Sequence, residues 1–260
     1  IASVSFKQYI GIPSFKLIFF ILLLYMEQLT FVFYTILIIV CCNIFGFFLS
    51  VVSIHVNFLS KYRIQKRKIK ASIFYDRLPL ILFNIVSLII VSALGLYYLY
   101  PLFDPVINFN IKFIMLQIIL ILLVDDLYFY CLHTWMHKNQ FILNKIHRVH
   151  HRAISPFALE YIYVHPLEWI MGYVGPFIAI FLISIFSPIN ILAFWIYQFI
   201  RNIHELDVHS GFKSIFSKWI PFWGESEHHD LHHEKLNGNY ATTFTLWDHI
   251  FKTKIDNDKK

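Results

Sequence analysis

Charged residues are scarce in this chain. Asp, Glu, Lys and Arg make up 15% of its 260 residues while 58% are hydrophobic; a soluble domain carries about a quarter charged. A chain of this length cannot hide so much apolar surface in a water-soluble core, so a bilayer has to supply part of its surroundings. Cysteine is nearly lacking too. Cys41, Cys42 and Cys131 lie in apolar stretches without framework spacing, which excludes a disulfide scaffold and a Cys-based zinc site. No Gly-rich linker, internal repeat or low-complexity boundary divides the chain, so one integrated domain is expected. Neither a GxGxxG fingerprint after a strand nor a P-loop occurs, so nothing points to a bound nucleotide. Ile1 rather than Met stands first, which leaves the natural start and any targeting peptide open.

What is plentiful is apolar sequence in long runs. A helix needs about 20 apolar residues to cross a bilayer core. Leu29–Val56 and Leu78–Phe103 meet this, Phe113–Val124 is shorter but continues helically into Leu127–Tyr130, and Trp169–Phe186 with Ile189–Ile200 reads as a hairpin broken at Ser187–Pro188. Ile10–Tyr25, which carries Lys16, is a weaker span. These runs predict an all-α integral membrane bundle of about four to six spans. The 15 Tyr and six Trp fit membrane interfaces. Lys61, Arg63, Lys66, Arg67, Lys68 and Lys70 form a block supplying much of the net charge of +6. Beside apolar spans it reads as a cytoplasmic loop at 61–70 near anionic lipid. Counting crossings from that loop brings out both His133 and everything from His204 onward on the same, cytoplasmic face. The expected division is an N-terminal membrane region at 1–112, a histidine-rich helical domain at 113–253 and a polar tail at 254–260.

Twelve of the 14 histidines fall between His133 and His233. Three groups are tight: His133/His137, His147/His150/His151 and His229/His232/His233. Residues at i, i+3 and i+4 share a helical face, so each group is expected to aim its imidazoles at one point. Neutral imidazole is a ligand for iron and zinc. Eight or more converging nitrogens exceed the four ligands one zinc takes, so two metals are implied. A bis-histidine haem fits less well, because the groups follow the spans rather than face each other within them. His55 and His249 stand alone and read as ordinary histidines. His228/His232 and His229/His233 are both i, i+4 pairs, so spacing leaves the choice between His228 and His229 open. Asp126 shares a helical face with Tyr130, His133 and His137. It reads either as the carboxylate holding a ligand's other N–H or as a solvated charge at a helix end. Gly211–Trp223 mixes Lys with Phe, Ile and Trp as an interfacial segment does, bordering the route from lipid to metal or anchoring the chain.

The order HX3H, HX2HH, HX2HH over roughly 113–253 resembles the fatty acid hydroxylase and sterol desaturase superfamily of integral-membrane di-iron enzymes. Asp126–His133, His147–His151, Ser155-Pro-Phe157 and His165-Pro-Leu-Glu168 resemble the methylsterol monooxygenases (C4-methylsterol oxidases). His209-Ser-Gly-Phe212 is similar to a segment that the methylsterol oxidases share with cholesterol 25-hydroxylase, and Asn237–Tyr240 and Phe244–Asp248 are closer in spacing to the 25-hydroxylase type. Thr134 and Ile162 depart from the pattern, where the family often has Arg and an acidic residue. The resemblance implies His133, His137, His147, His150, His151, His229, His232 and His233 as metal ligands. It adds His209 and, less firmly, His165, and selects His229 over His228; His204 matches nothing in it. It implies two irons that reduce O2, one oxygen atom entering a lipid C–H bond and the other leaving as water, with two electrons and two protons consumed. The implied function is a sterol hydroxylase or methyl oxidase of lipid biosynthesis in the endoplasmic reticulum. A sphingoid-base or fatty-acyl hydroxylase, a sterol desaturase, and a non-catalytic metal-binding membrane protein are the alternatives. No His-Pro-Gly-Gly haem motif is present, so electrons are expected from a separate carrier, cytochrome b5 or its reductase.

Overall fold

Each long apolar run forms a helix in the computed structural model, which describes residues 26–66, 70–214, 217 and 219–255. The helices are α1 (Gln28–His55), α2 (Ala71–Leu99), α3 (Ile111–Lys138), α4 (Gln140–Lys145), α5 (Pro166–Gly172), α6 (Val174–Ser184), α7 (Ile191–Val208), α8 (Ser226–Lys235) and α9 (Leu246–Ile250). Single 3-10 helices cover His147–Arg152 and Ala158–Ile162. Four stretches among the described residues are long and apolar enough to cross a membrane: Gln28–His55, Ala71–Leu102, Ile111–Lys138 and Pro166–Ser184. The chain is a multi-pass membrane protein. The expected span at Ile10–Tyr25 lies outside the described residues.

The bundle is built inside-out relative to a soluble one. Along α1 the outward face carries Phe33 and Phe48, about 60% exposed, whereas Thr35, Asn43, Gly46, Ser50 and Ser53 face inward. Without a hydrophobic drive between helices in lipid, small inward residues permit close approach. Their polar atoms are satisfied within the helix: Thr35 donates to Phe31 O, Asn43 to Ile39 O and Ser50 to Gly46 O. Two apolar cores result. One joins α1, α3, α6 and α7 through Phe31, Ile118, Ile121, Ile180 and Phe194; the other packs Ile39, Phe74, Ile81 and Leu88 on the loop 157–164 and on Trp169 and Leu206.

The hairpin breaks where Ser187–Pro188 predicted. Two-residue strands, β1 (Phe103–Asp104) and β2 (Ile189–Asn190), pair in parallel across it. Gln117 of α3 closes the turn, accepting from Asn190 N (2.7 Å) and donating to Pro188 O (2.9 Å), while Asn190 caps α7 by accepting from Ala193 N. The basic block is not all solvated loop. Arg63 is buried, donating to Pro156 O (2.8 Å) and Ser53 Oγ, and Gln65 reaches Asp230 of α8. The connection between α1 and α2 thus folds back onto the histidine-bearing part of the chain.

Asn84 shows how a span holds the site. It is fully buried on α2, and its amide donates to both Ile162 O (3.0 Å) and Val164 O (2.9 Å). Asn84→Leu removes the donor and strands two buried carbonyls, at about 1–3 kcal/mol each. Thermal unfolding in detergent is expected to show a loss of about 2 kcal/mol or more for Asn84→Leu, and a much smaller loss for the lipid-facing Phe83→Leu.

Candidate metal centre

The histidines sit where the membrane bundle gives way to short, irregular elements. His133 and His137 occupy the last two turns of α3. His147, His150 and His151 lie on the 3-10 helix after α4, His209 directly follows α7, and His229, His232 and His233 lie on α8. All nine are buried.

They form two groups: His133, His137, His147, His151 and His232 in one, and His150, His209, His229 and His233 in the other, ligand atoms within 4.8 Å of one another in each. The expectation that each sequence cluster serves one point holds for His133 and His137 and needs correction for the other two clusters. In those, only the i, i+4 pairs keep together, His147 with His151 and His229 with His233. The residue between them, His150 or His232, crosses to the other group. Adjacent residues point about 100–120° apart on a helix, so His150 and His151 diverge, as do His232 and His233. Two clusters therefore feed both points at once.

Four rings are fixed from behind. Nδ1–H of His133 donates to Tyr240 O (2.7 Å), that of His147 to Glu168 Oε1 (2.8 Å), that of His209 to Glu205 O (2.9 Å) and that of His232 to Gly238 O (2.7 Å). A neutral imidazole with its proton on Nδ1 presents a bare lone pair at Nε2. These lone pairs converge. Nε2 of His147 stands 3.1 Å from that of His133 and 2.9 Å from those of His137 and His151; Nε2 of His229 lies 2.9 Å from that of His209 and 3.1 Å from that of His233. His133 and His147 both present acceptors, so no hydrogen bond joins them. Protonation offers no relief, because burial holds His147, His150, His229, His232 and His233 well below the usual histidine range, neighbouring rings adding to the effect. Burial likewise lowers His209 to about 4. A buried set of neutral nitrogen donors aimed at two points fits a pair of metal cations.

Comparison with known proteins agrees with this geometry. The fatty acid hydroxylase family matches residues 118–253, which contain every histidine of both groups. The chain belongs to the fatty acid hydroxylase family. Methylsterol monooxygenase 1 of Rattus norvegicus is 33% identical over 207 residues, covering 77% of this chain and 69% of the relative. The Danio rerio protein of the same name is 30% identical, covering 75% of this chain and 68% of the relative. That of Gallus gallus is 37% identical over half of this chain and 43% of the relative. No solved structure matches.

The other candidate residues lie away from the two groups. His165 stands outside both groups, where its Nδ1 accepts from Leu167 N and caps α5. His228 turns away to Asp248 Oδ2 (2.9 Å), and His204 reaches Thr242 O (3.1 Å). Asp126 is neither a solvated charge nor a histidine's partner: buried in α3, it accepts from Thr243 N, Phe244 N and Trp247 Nε1. The carboxylate on a metal-group ring is Glu168. Its sequence signal, three residues after His165, was visible only within the family motif. Asp248 went unnoticed as well. It accepts from Tyr240 N, Ala241 N, Thr253 and His228; burial alone would raise this carboxylate, but those bonds outweigh it and hold it below its usual range.

The depressed histidines set an acid limit on the metal-free protein. Unfolded imidazoles titrate near 6.5, whereas His209 titrates near 4 when folded. Between these values the unfolded chain binds more protons, so stability rises with pH and is lost as pH falls through that window. Metal-free protein is expected to unfold at progressively lower temperature from pH 7 to pH 5, and the drop should be smaller in a variant carrying His209→Gln.

Proposed function

We propose that this chain is a methylsterol monooxygenase, a membrane-bound di-iron oxygenase that oxidises the C4-methyl group of a sterol in sterol biosynthesis. The division of nine buried histidines into groups of five and four carries the reading. It is supported by likeness over most of the chain to relatives named for that activity. His133, His137, His147, His151 and His232 would hold one iron, and His150, His209, His229 and His233 the other. Two irons, when bound, supply the reduction of O2 and the oxidising power directed at the C–H bond.

The remaining work falls to the chain itself. Carbonyls of Glu205, Gly238 and Tyr240 keep three rings in the Nδ1–H form. Glu168 does the same for His147 and makes that ring a stronger donor. A cavity of about 80 Å³ opens beside His133, His147, His150, His209 and His229, walled by Leu88, Phe129, Ile162, Val164 and Trp169. Those apolar walls exclude water from the reacting end of the substrate. A space this small takes the oxidised end of a sterol and leaves the rest toward lipid. The reading places the histidines at the cytoplasmic face of the endoplasmic reticulum, with electrons delivered there by cytochrome b5 or its reductase.

The protein loaded with iron in nanodiscs is expected to bind about two irons per chain. His229→Ala should lower this to about one or fewer, and His228→Ala should leave it near two. With O2, reductase and cytochrome b5, wild type should convert a 4,4-dimethylsterol to C4-oxidised product and His229→Ala should not. Zinc held as well as iron, with no sterol product under these conditions, would overturn the reading.

A further inference from the structure

Part of the cavity wall is polar and charged. Arg201, Asn202 and Glu205 of α7 line it together with Tyr161. Arg201 and Glu205 are one helical turn apart and so face the same way. Arg201 Nε donates to Asp125 Oδ2 at 2.7 Å, an oxygen that also accepts from Tyr197. No described residue accepts from its other guanidinium N–H groups, and Arg201 lines the cavity. Glu205 Oε2 lies 3.7 Å from His209 Nδ1, but that proton goes to the Glu205 carbonyl. The Glu205 side chain is only 16% exposed, and no described residue donates a hydrogen bond to its carboxylate. A nearly buried carboxylate without a donor is costly, and this one sits beside a metal-group histidine on the wall of the cavity.

We propose that Glu205 and Arg201 recognise a neutral hydroxyl group on the substrate, adjacent to the carbon that is oxidised. The hydroxyl donates its proton to the Glu205 carboxylate, and its oxygen accepts from Arg201. This rests on the proposed function and deepens it, since a sterol's 3-hydroxyl is borne on the carbon next to C4. Charge separates the substrate classes. A fatty acid carboxylate has no proton for Glu205 and meets its negative charge; an amine headgroup meets Arg201. A neutral alcohol satisfies both partners.

Binding without turnover tests this. Iron-loaded protein in nanodiscs, kept anaerobic, is titrated with a 4-methylsterol and with its 3-O-methyl ether, which accepts a hydrogen bond but donates none. Wild type should bind the alcohol about tenfold tighter or more. Glu205→Ala should abolish the preference, and Glu205→Gln, whose amide oxygen still accepts, should keep part of it. Equal binding of alcohol and ether by wild type overturns the proposal, and this outcome needs no variant to fold. A full preference persisting in Glu205→Ala overturns it as well. Aerobic turnover separates the two readings: a hydroxyl preference without any C4 oxidation refutes the methyl-oxidase function and leaves the hydroxyl site standing. C4 oxidation without the preference refutes only the site.

Discussion

Two unprotonated imidazole nitrogens, His133 Nε2 and His147 Nε2, face each other 3.1 Å apart with no proton between them. Left alone the rings would turn away or take up protons. Burial forbids the second course, and the hydrogen bonds behind each ring forbid the first. Those bonds end largely on backbone carbonyls, so the site is only as rigid as the chain that carries them. The segment after α8 shows what that demands. Leu236 and Asn239 both adopt positive φ, 63° and 53°, a conformation that is strained for leucine and tolerated by asparagine. The turn they make aims Gly238 O at His232 and Tyr240 O at His133. Asn239 braces it, donating to His228 O and accepting from Ile255 N.

Two buried aspartates then hold the segment to the rest of the molecule. Asp248 gathers the amides of Tyr240 and Ala241, and Asp126 gathers those of Thr243 and Phe244. Asp126 therefore serves the histidines at one remove. It ties α3, which carries His133 and His137, to the loop whose carbonyl orients His133. Gly224 belongs to the same arrangement, because a Cβ there would run into the carbonyl of Thr242. Buried irregular backbone is tolerable only where protein groups satisfy it.

Much of this was legible in the sequence, and the illegible part has one cause. Helix existence followed from apolar runs, because lipid selects length and hydropathy directly. The break at Ser187–Pro188 and the convergence of the histidines on one side of the bundle were readable for similar reasons. The division of the clusters was not, because spacing says which rings share a helix face but not what faces them. Asp126 shares a face with His133 and His137, yet the loop that claims it arrives from more than a hundred residues away. Arg63 looked like one more cation in a basic block; its burial depends on Pro156 and Ser53, which only folding brings near. Periodicity constrains a helix against itself, whereas these roles belong to long-range contacts.

Helix α7 joins the apolar core to the site. Its first two turns are apolar, with Phe194 and Tyr197 buried in the core against α1 and α3. From Gln198 onward the inward face becomes Gln198, Arg201, Asn202, Glu205 and His209, which removes the helix from those apolar enough to span a bilayer. Ionisable side chains within a membrane bundle are expensive and are kept facing its interior or a cavity. Here Arg201, Asn202 and Glu205 line the cavity together with His133 of α3. The change from apolar to polar along α7 therefore marks where apolar packing ends and the site begins.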